Sequence, residues 1–98
     1  MPSYKFTQAA ENDANGILDY TLQKWGVIQA SKYLDGLELH AQLLADTPRL
    51  AKPDDQFAEG LRRFPYQSHV IYVIEAAHGI TILRDLHTSM SPPLHLEE

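Results

Sequence analysis

A single glycine, Gly26, separates two long stretches of helical periodicity, and this junction restricts the fold more than any other feature of the chain. Upstream, Ala10, Ala14, Ile17, Leu18, Thr21 and Trp25 recur at helical spacing; downstream, Val27, Ala30, Tyr33, Leu34, Leu37, Ala41 and Leu44 form a second stripe. A one-residue linker forces such helices to fold back on each other as a tight hairpin. The spacing predicts helices over residues 8–25 and 27–47, with Thr7 as N-cap, Gly26 as the residue ending the first helix and Pro48 stopping the second. Asn15-Gly16 is a turn signal, but no β-type alternation flanks it. The helix therefore continues through it at a glycine penalty of about 1 kcal/mol.

Outside the hairpin the pattern changes to that of strands. Tyr4-Lys5-Phe6 alternates behind Pro2, residues 60–64 read as a strand ended by Pro65, and residues 50–59, with Pro53-Asp54-Asp55, read as a surface loop. The last quarter is the richest part. His69-Val70-Ile71-Tyr72-Val73-Ile74-Glu75 and Ile80-Thr81-Ile82-Leu83-Arg84-Asp85-Leu86-His87 form a β-hairpin around the loop Ala76-Ala77-His78-Gly79. The order is β-α-α-β-β-β, an α+β fold in which a helical hairpin packs on a small antiparallel sheet, as a single domain over residues 1–98.

Composition removes several function classes. No cysteine is present, so disulfides, thiolate nucleophiles and cysteine-ligated zinc are excluded. The five histidines show neither His-Glu-x-x-His nor other close ligand spacing, and no helix follows Gly60 or Gly79 to make a phosphate loop, so neither metal nor cofactor is expected. A net charge of −5 opposes strong direct nucleic-acid binding and favours a protein partner. No apolar run spans a bilayer and no signal peptide is read, which suits the cytoplasm. Arg49, Lys52, Arg62, Arg63 and Arg84 all fall in the second half, so a locally basic sheet face is expected.

Certain residues, in order, resemble the ParE toxins of the ParE/RelE superfamily of bacterial type II toxin-antitoxin systems. Ala9-Ala10, Asp13, Ile17, Asp19-Tyr20 and Trp25-Gly26 look like the family's first helix; Ala30, Tyr33, Leu37 and Pro48-Arg49 look like its second. Gly60-Leu61-Arg62, Ser68-His69-Val70-Ile71-Tyr72, Ile80, Ile82, Arg84, Leu86-His87, Met90 and His95-Leu96 follow its C-terminal pattern. Two positions depart from it: Asp85 stands where the family usually has an aliphatic residue, and Ser91 where it usually has an acid.

The resemblance implies a RelE/ParE-like fold and a toxin that inhibits DNA gyrase. It also implies neutralisation by a ParD-like, ribbon-helix-helix antitoxin in a hetero-oligomer, with no catalysis. Arg62, Arg63, Tyr72, Arg84, Asp85, His87 and Met90 are the expected target- or antitoxin-binding residues. The alternative is a RelE-type, ribosome-dependent messenger RNA endonuclease in which Arg62 and Arg84 hold phosphate and His87 donates a proton. A third is a decayed, non-toxic antitoxin-binding module, suggested by Asp85. Each residue also has a plainer role: Arg84 paired with a carboxylate, His87 bonded at a strand end, and Tyr72 as a core or sheet-face aromatic.

Overall fold

The structure, a computed structural model, describes residues 2–56 and 58–87. Strand β1 (Ser3–Phe6) leads into helix α1 (Gln8–Trp25), and α2 (Val27–Asp46) returns antiparallel to it. Gly26 makes the turn at φ 92°, a backbone region that costs glycine nothing, and its N–H donates to the Leu22 carbonyl at 3.0 Å. Both helices stand as the spacing predicts, and α1 runs unbroken through Asn15-Gly16.

The segment 50–59 is not all loop. A 3-10 turn at Pro48–Leu50 is followed by a short strand, β2 (Lys52–Pro53), which pairs antiparallel with β3 (Arg62–Tyr66). Pro65 does not end β3: it lies within the strand, opposite Val70. β2 meets only Arg62 and Arg63, so Pro65 lies where the outer side of β3 carries no neighbouring strand, the position in a sheet that tolerates proline. Strands β4 (His69–Ala76) and β5 (Gly79–His87) complete the order β1-β5-β4-β3-β2. The sheet is mixed rather than purely antiparallel, because β1 joins β5 in parallel. Gly79 permits this: its φ is 139°, and a Cβ there would collide with the Ser3 backbone.

One face of the sheet carries the main core. Tyr33, Leu37, Ala41 and Leu44 of α2 meet Ile71, Val73, Ile80 and Ile82, with Ala10 from α1. A smaller cluster holds Val70 and Tyr72 of β4 and Leu86 of β5, with Leu61 from just before β3. The predicted helical stripes fail at the hairpin turn: Trp25 is 66% and Val27 68% exposed. These two flank Gly26.

β1 covers only the first four residues of β5, Gly79 to Ile82. Beyond that point α1 takes over the open edge. The Thr7 N–H donates to the Ile82 carbonyl at 3.0 Å, and Thr7 Oγ1 donates to the Leu83 carbonyl at 2.8 Å. The same Oγ1 accepts from the Ala10 N–H at 3.0 Å, which is the N-cap bond anticipated from sequence. One hydroxyl thus starts the helix and ties it to the sheet. Thr7→Ala is expected to cost about 1–2 kcal/mol in denaturant unfolding. Thr7→Ser should recover most of that.

The ladder between β4 and β5 slips by one residue. Val73 lies opposite Ile82 but Tyr72 lies opposite Arg84, leaving Leu83 as an extra residue on β5. Such a bulge reverses which face the following side chains take. Simple alternation from Ile80 and Ile82 would send Arg84 and Leu86 toward the helices. Instead Leu86 joins the far cluster, and Asp85 turns to α2.

Candidate functional site

The bulge builds a polar network beneath the helical hairpin. Arg84 Nε donates to Asp13 Oδ2 at 2.7 Å and Arg84 Nη2 to Asp13 Oδ1 at 2.9 Å, a bidentate pair between β5 and α1. Asp13 Oδ2 also accepts the Asp85 backbone N–H at 3.1 Å, so one carboxylate serves both the guanidinium and the strand edge. On the other side, Tyr33 Oη donates to Asp85 Oδ2 at 2.6 Å. Tyr66 Oη in turn donates to the Tyr33 carbonyl at 3.1 Å.

Asp85 is 2% exposed. Burial pushes its carboxyl up to about 6; the Tyr33 hydrogen bond opposes this and the Asp13 charge adds to it. Burial likewise drives the Tyr33 phenol far above its usual range, assisted by the Asp85 charge and hydrogen bond. His69 is pushed down by burial and by His87, whose ring stands edge-on to it at 5.6 Å. At neutral pH His69 is an uncharged imidazole.

Above this network lies a cleft of about 630 Å³ between α1 and the ends of β4 and β5. Gly16, Tyr20 and Trp25 of α1 form one wall; Tyr33, His69 and Asp85 are among the residues opposite. Two buried polar atoms of these lining residues, Asp85 Oδ1 and His69 Nδ1, have no hydrogen-bond partner.

The residues singled out from sequence do not gather into one site. Arg84 is in the salt bridge just described and is 9% exposed. Asp85 pairs with Tyr33, and Tyr72 lies in the far cluster at 5% exposure, where burial raises its phenol. Arg62 donates to the Ala51 carbonyl at 2.9 Å and lies 3.8 Å from Glu75, while Arg63 is 4.0 Å from Asp54. The expected basic sheet face is therefore offset by carboxylates at all three arginines. His87, at the end of β5, lines the cleft. Met90 lies outside the described residues, as do Ser91, His95 and Leu96.

Asp13, Tyr33 and His69 are the residues that sequence reasoning left without a role here. Asp13 is an acid among helical acids and Tyr33 reads as core. Pairing with β5 across more than fifty residues reveals Asp13 and Tyr33, and the ring contacts of His69 with Tyr33 and His87 reveal His69.

Known proteins carry the same fold and sequence pattern over nearly the full length. The profile of the family described as "ParE toxin of type II toxin-antitoxin system, parDE" matches residues 4–92. The chain belongs to the ParE toxin family. Toxin ParE1 of Caulobacter vibrioides is 33% identical over 96 residues, covering 98% of this chain and 99% of that protein. Toxin ParE1 of Mycobacterium tuberculosis is 32% identical over 88 residues, covering 89% and 90%, and Toxin ParE of Escherichia coli is 29% identical, covering 92% and 88%. A solved structure, described as the chromosomal ParDE TA system from P. aeruginosa, superposes with a TM-score of 0.74 at 21% identity, covering 89% of this chain and 96% of that one. The ParE fold expected from the resemblance is thus present, with two helices on a five-stranded sheet. Among the described residues, no helix is long and apolar enough to cross a membrane, and no three potential ligands cluster as a metal site.

Proposed function

We propose that this ParE-family toxin acts by binding and poisoning DNA gyrase, and that a ParD-like antitoxin holds it inactive by covering the helical hairpin and the adjoining sheet end. Family membership over residues 4–92 is the observation that carries the reading. The surface is compatible with a tightly held protein partner. Tyr20, Leu22, Trp25, Val27 and Ile28 cluster around the hairpin turn, with Ile28 76% exposed. Apolar side chains concentrated in this way favour a permanent partner over water.

Among the described residues, the arrangement gives little support to RNA cleavage. Arg62 is in register with Val73 and hence with Ile82, whereas His87 lies five residues further along β5. Because Leu83 is the extra residue of the bulge, the offset equals four residues of β4, Val73 to His69, or roughly 13 Å at about 3.3 Å per residue. Arg62, Arg84 and His87 would not meet on one scissile phosphate, and Arg84 is already engaged by Asp13. The decayed-toxin reading was suggested by Asp85 standing where the family usually has an aliphatic residue. Asp85 is buried against Tyr33, so this departure falls in the interior beside the cleft.

The test is inhibition of gyrase supercoiling by the purified, folded chain, with cleaved DNA measured in the same reactions. Inhibition with trapped breaks is the expected result. No effect at large molar excess would discard the gyrase reading. Loss of killing on His87→Ala, together with ribosome-dependent RNA cleavage, would establish the nuclease alternative.

A further inference from the structure

The cleft beside Asp85 has the chemistry of a side-chain receptor. Its base carries two buried acceptors without partners, Asp85 Oδ1 and, in the tautomer protonated at Nε2, His69 Nδ1. A buried acceptor left unbonded costs free energy that a donor from outside would recover. Asp85 lies opposite Ile71 and His69 opposite His87, so Asp85 and His69 are diagonal cross-strand neighbours, roughly 7–8 Å apart at the backbone. A single group must therefore offer several donors spread in a plane to reach both.

The walls narrow the choice further. Tyr20, Trp25 and Tyr33 line the cleft, and the Lys24 ammonium already lies 5.5 Å from the ring centres of Tyr20 and Trp25. Aromatic walls above a carboxylate suit a guanidinium, which stacks on rings, carries five donors and is less strongly hydrated than an ammonium. Residues 88–98, which follow the cleft strand in sequence, include no lysine or arginine. That segment has no guanidinium to offer.

We propose that this cleft receives one arginine side chain of the antitoxin, with Asp85 and His69 accepting its N–H groups. The identity of the partner rests on the antitoxin reading above; the preference for a guanidinium does not. Asp85 supplies the charge of the site. The groups facing Asp85 are Tyr33 from α2, Asp13 from α1, His69 from β4, and Arg84 and His87 on β5, with Lys24 of α1 lining the cleft.

Two measurements separate the pocket from the partner. In the first, the full chain is titrated with N-acetyl-arginine amide while the Asp85 carboxyl carbon and the His69 ring nitrogens are followed by NMR. N-acetyl-lysine amide and N-acetyl-methionine amide are run beside it. The arginine compound should shift Asp85 and His69 selectively and lower the pH at which Asp85 titrates, because a bound cation favours the carboxylate. Asp85→Asn should weaken that binding at least about tenfold, the loss of one charge-assisted contact. Equal responses to all three compounds, no response, or a His69 proton fixed on Nδ1 would overturn the proposal.

In the second, the antitoxin encoded beside this gene is bound to the chain by calorimetry, with each antitoxin arginine changed singly to methionine. One arginine should be coupled to Asp85, so that its loss and Asp85→Asn together weaken binding no more than either alone. Gly16→Leu is the companion variant. Gly16 is helical, lines the cleft and has open space at its Cβ position, so leucine there is expected to be tolerated by the helix and to narrow the cleft. It should weaken antitoxin binding at least about tenfold. Additive losses for every arginine, or full affinity in both toxin variants, would overturn the pocket. Failure of the unaltered chain to bind the antitoxin would remove the partner reading and leave the first measurement to judge the guanidinium site.

Discussion

Asp13→Ala is expected to lower the unfolding free energy by about 3–5 kcal/mol, the usual consequence of removing one partner from a mostly buried ion pair. The Arg84 and Asp13 side chains are 11% and 15% exposed, and the carboxylate takes two guanidinium N–H groups at 2.7 and 2.9 Å. It also caps the open β5 edge through the Asp85 N–H. The substitution leaves a cation with poor access to water and frees a strand edge in one stroke. Chemical denaturation measures it directly. Asp13→Asn retains an acceptor for the backbone N–H and should lose less. A loss below about 1 kcal/mol for Asp13→Ala would mean that Arg84 finds equivalent solvation elsewhere.

Asp85→Asn is expected to act in the opposite direction, and only above a certain pH. The folded-state value of about 6 is raised from the ordinary 3.8, so between these values the folded chain holds a proton that the unfolded chain has released. The contribution of Asp85 to stability is then most favourable below about pH 4 and declines as pH rises through the window to about 6. The difference corresponds to about 3 kcal/mol of destabilisation once Asp85 is ionised. Asparagine never ionises and still accepts from Tyr33. It should therefore match the parent near pH 4 and exceed it by up to about 3 kcal/mol at pH 7. Parallel thermal or denaturant melts of the two proteins across that range test it. An advantage independent of pH would show that Asp85 is not the titrating group. Together with the proposed arginine site, this makes Asp85 a group that costs stability in the free chain and returns it on binding.

The two effects also show where sequence reasoning stops. The sequence points to Arg84 and Asp85 as adjacent charges on a strand and even proposes a carboxylate for Arg84. It does not say that the carboxylate is Asp13, one acid among several on a helix seventy-one residues away. Likewise, Thr7 is legible as a cap because capping is a contact three residues long. Its second bond, to Leu83, is not.

By itself the sequence determined the local elements: the helical hairpin turned by Gly26, the strand–helix–helix–strand order, and the family to which that order belongs. These follow from periodicity, caps and backbone preferences, which act within a few residues and leave their mark in the chain. Tertiary structure alone decided that β1 lies parallel to β5, that Pro65 can sit within β3 where the short β2 leaves its outer side uncovered, and that β5 carries one extra residue at Leu83. An alternation rule has a period of two and cannot register a single inserted residue, yet that residue reverses every side chain after it. The direction of Asp85, and with it the buried carboxylate, the unpartnered acceptors and the cleft, was settled by pairing between strands and helices distant in sequence.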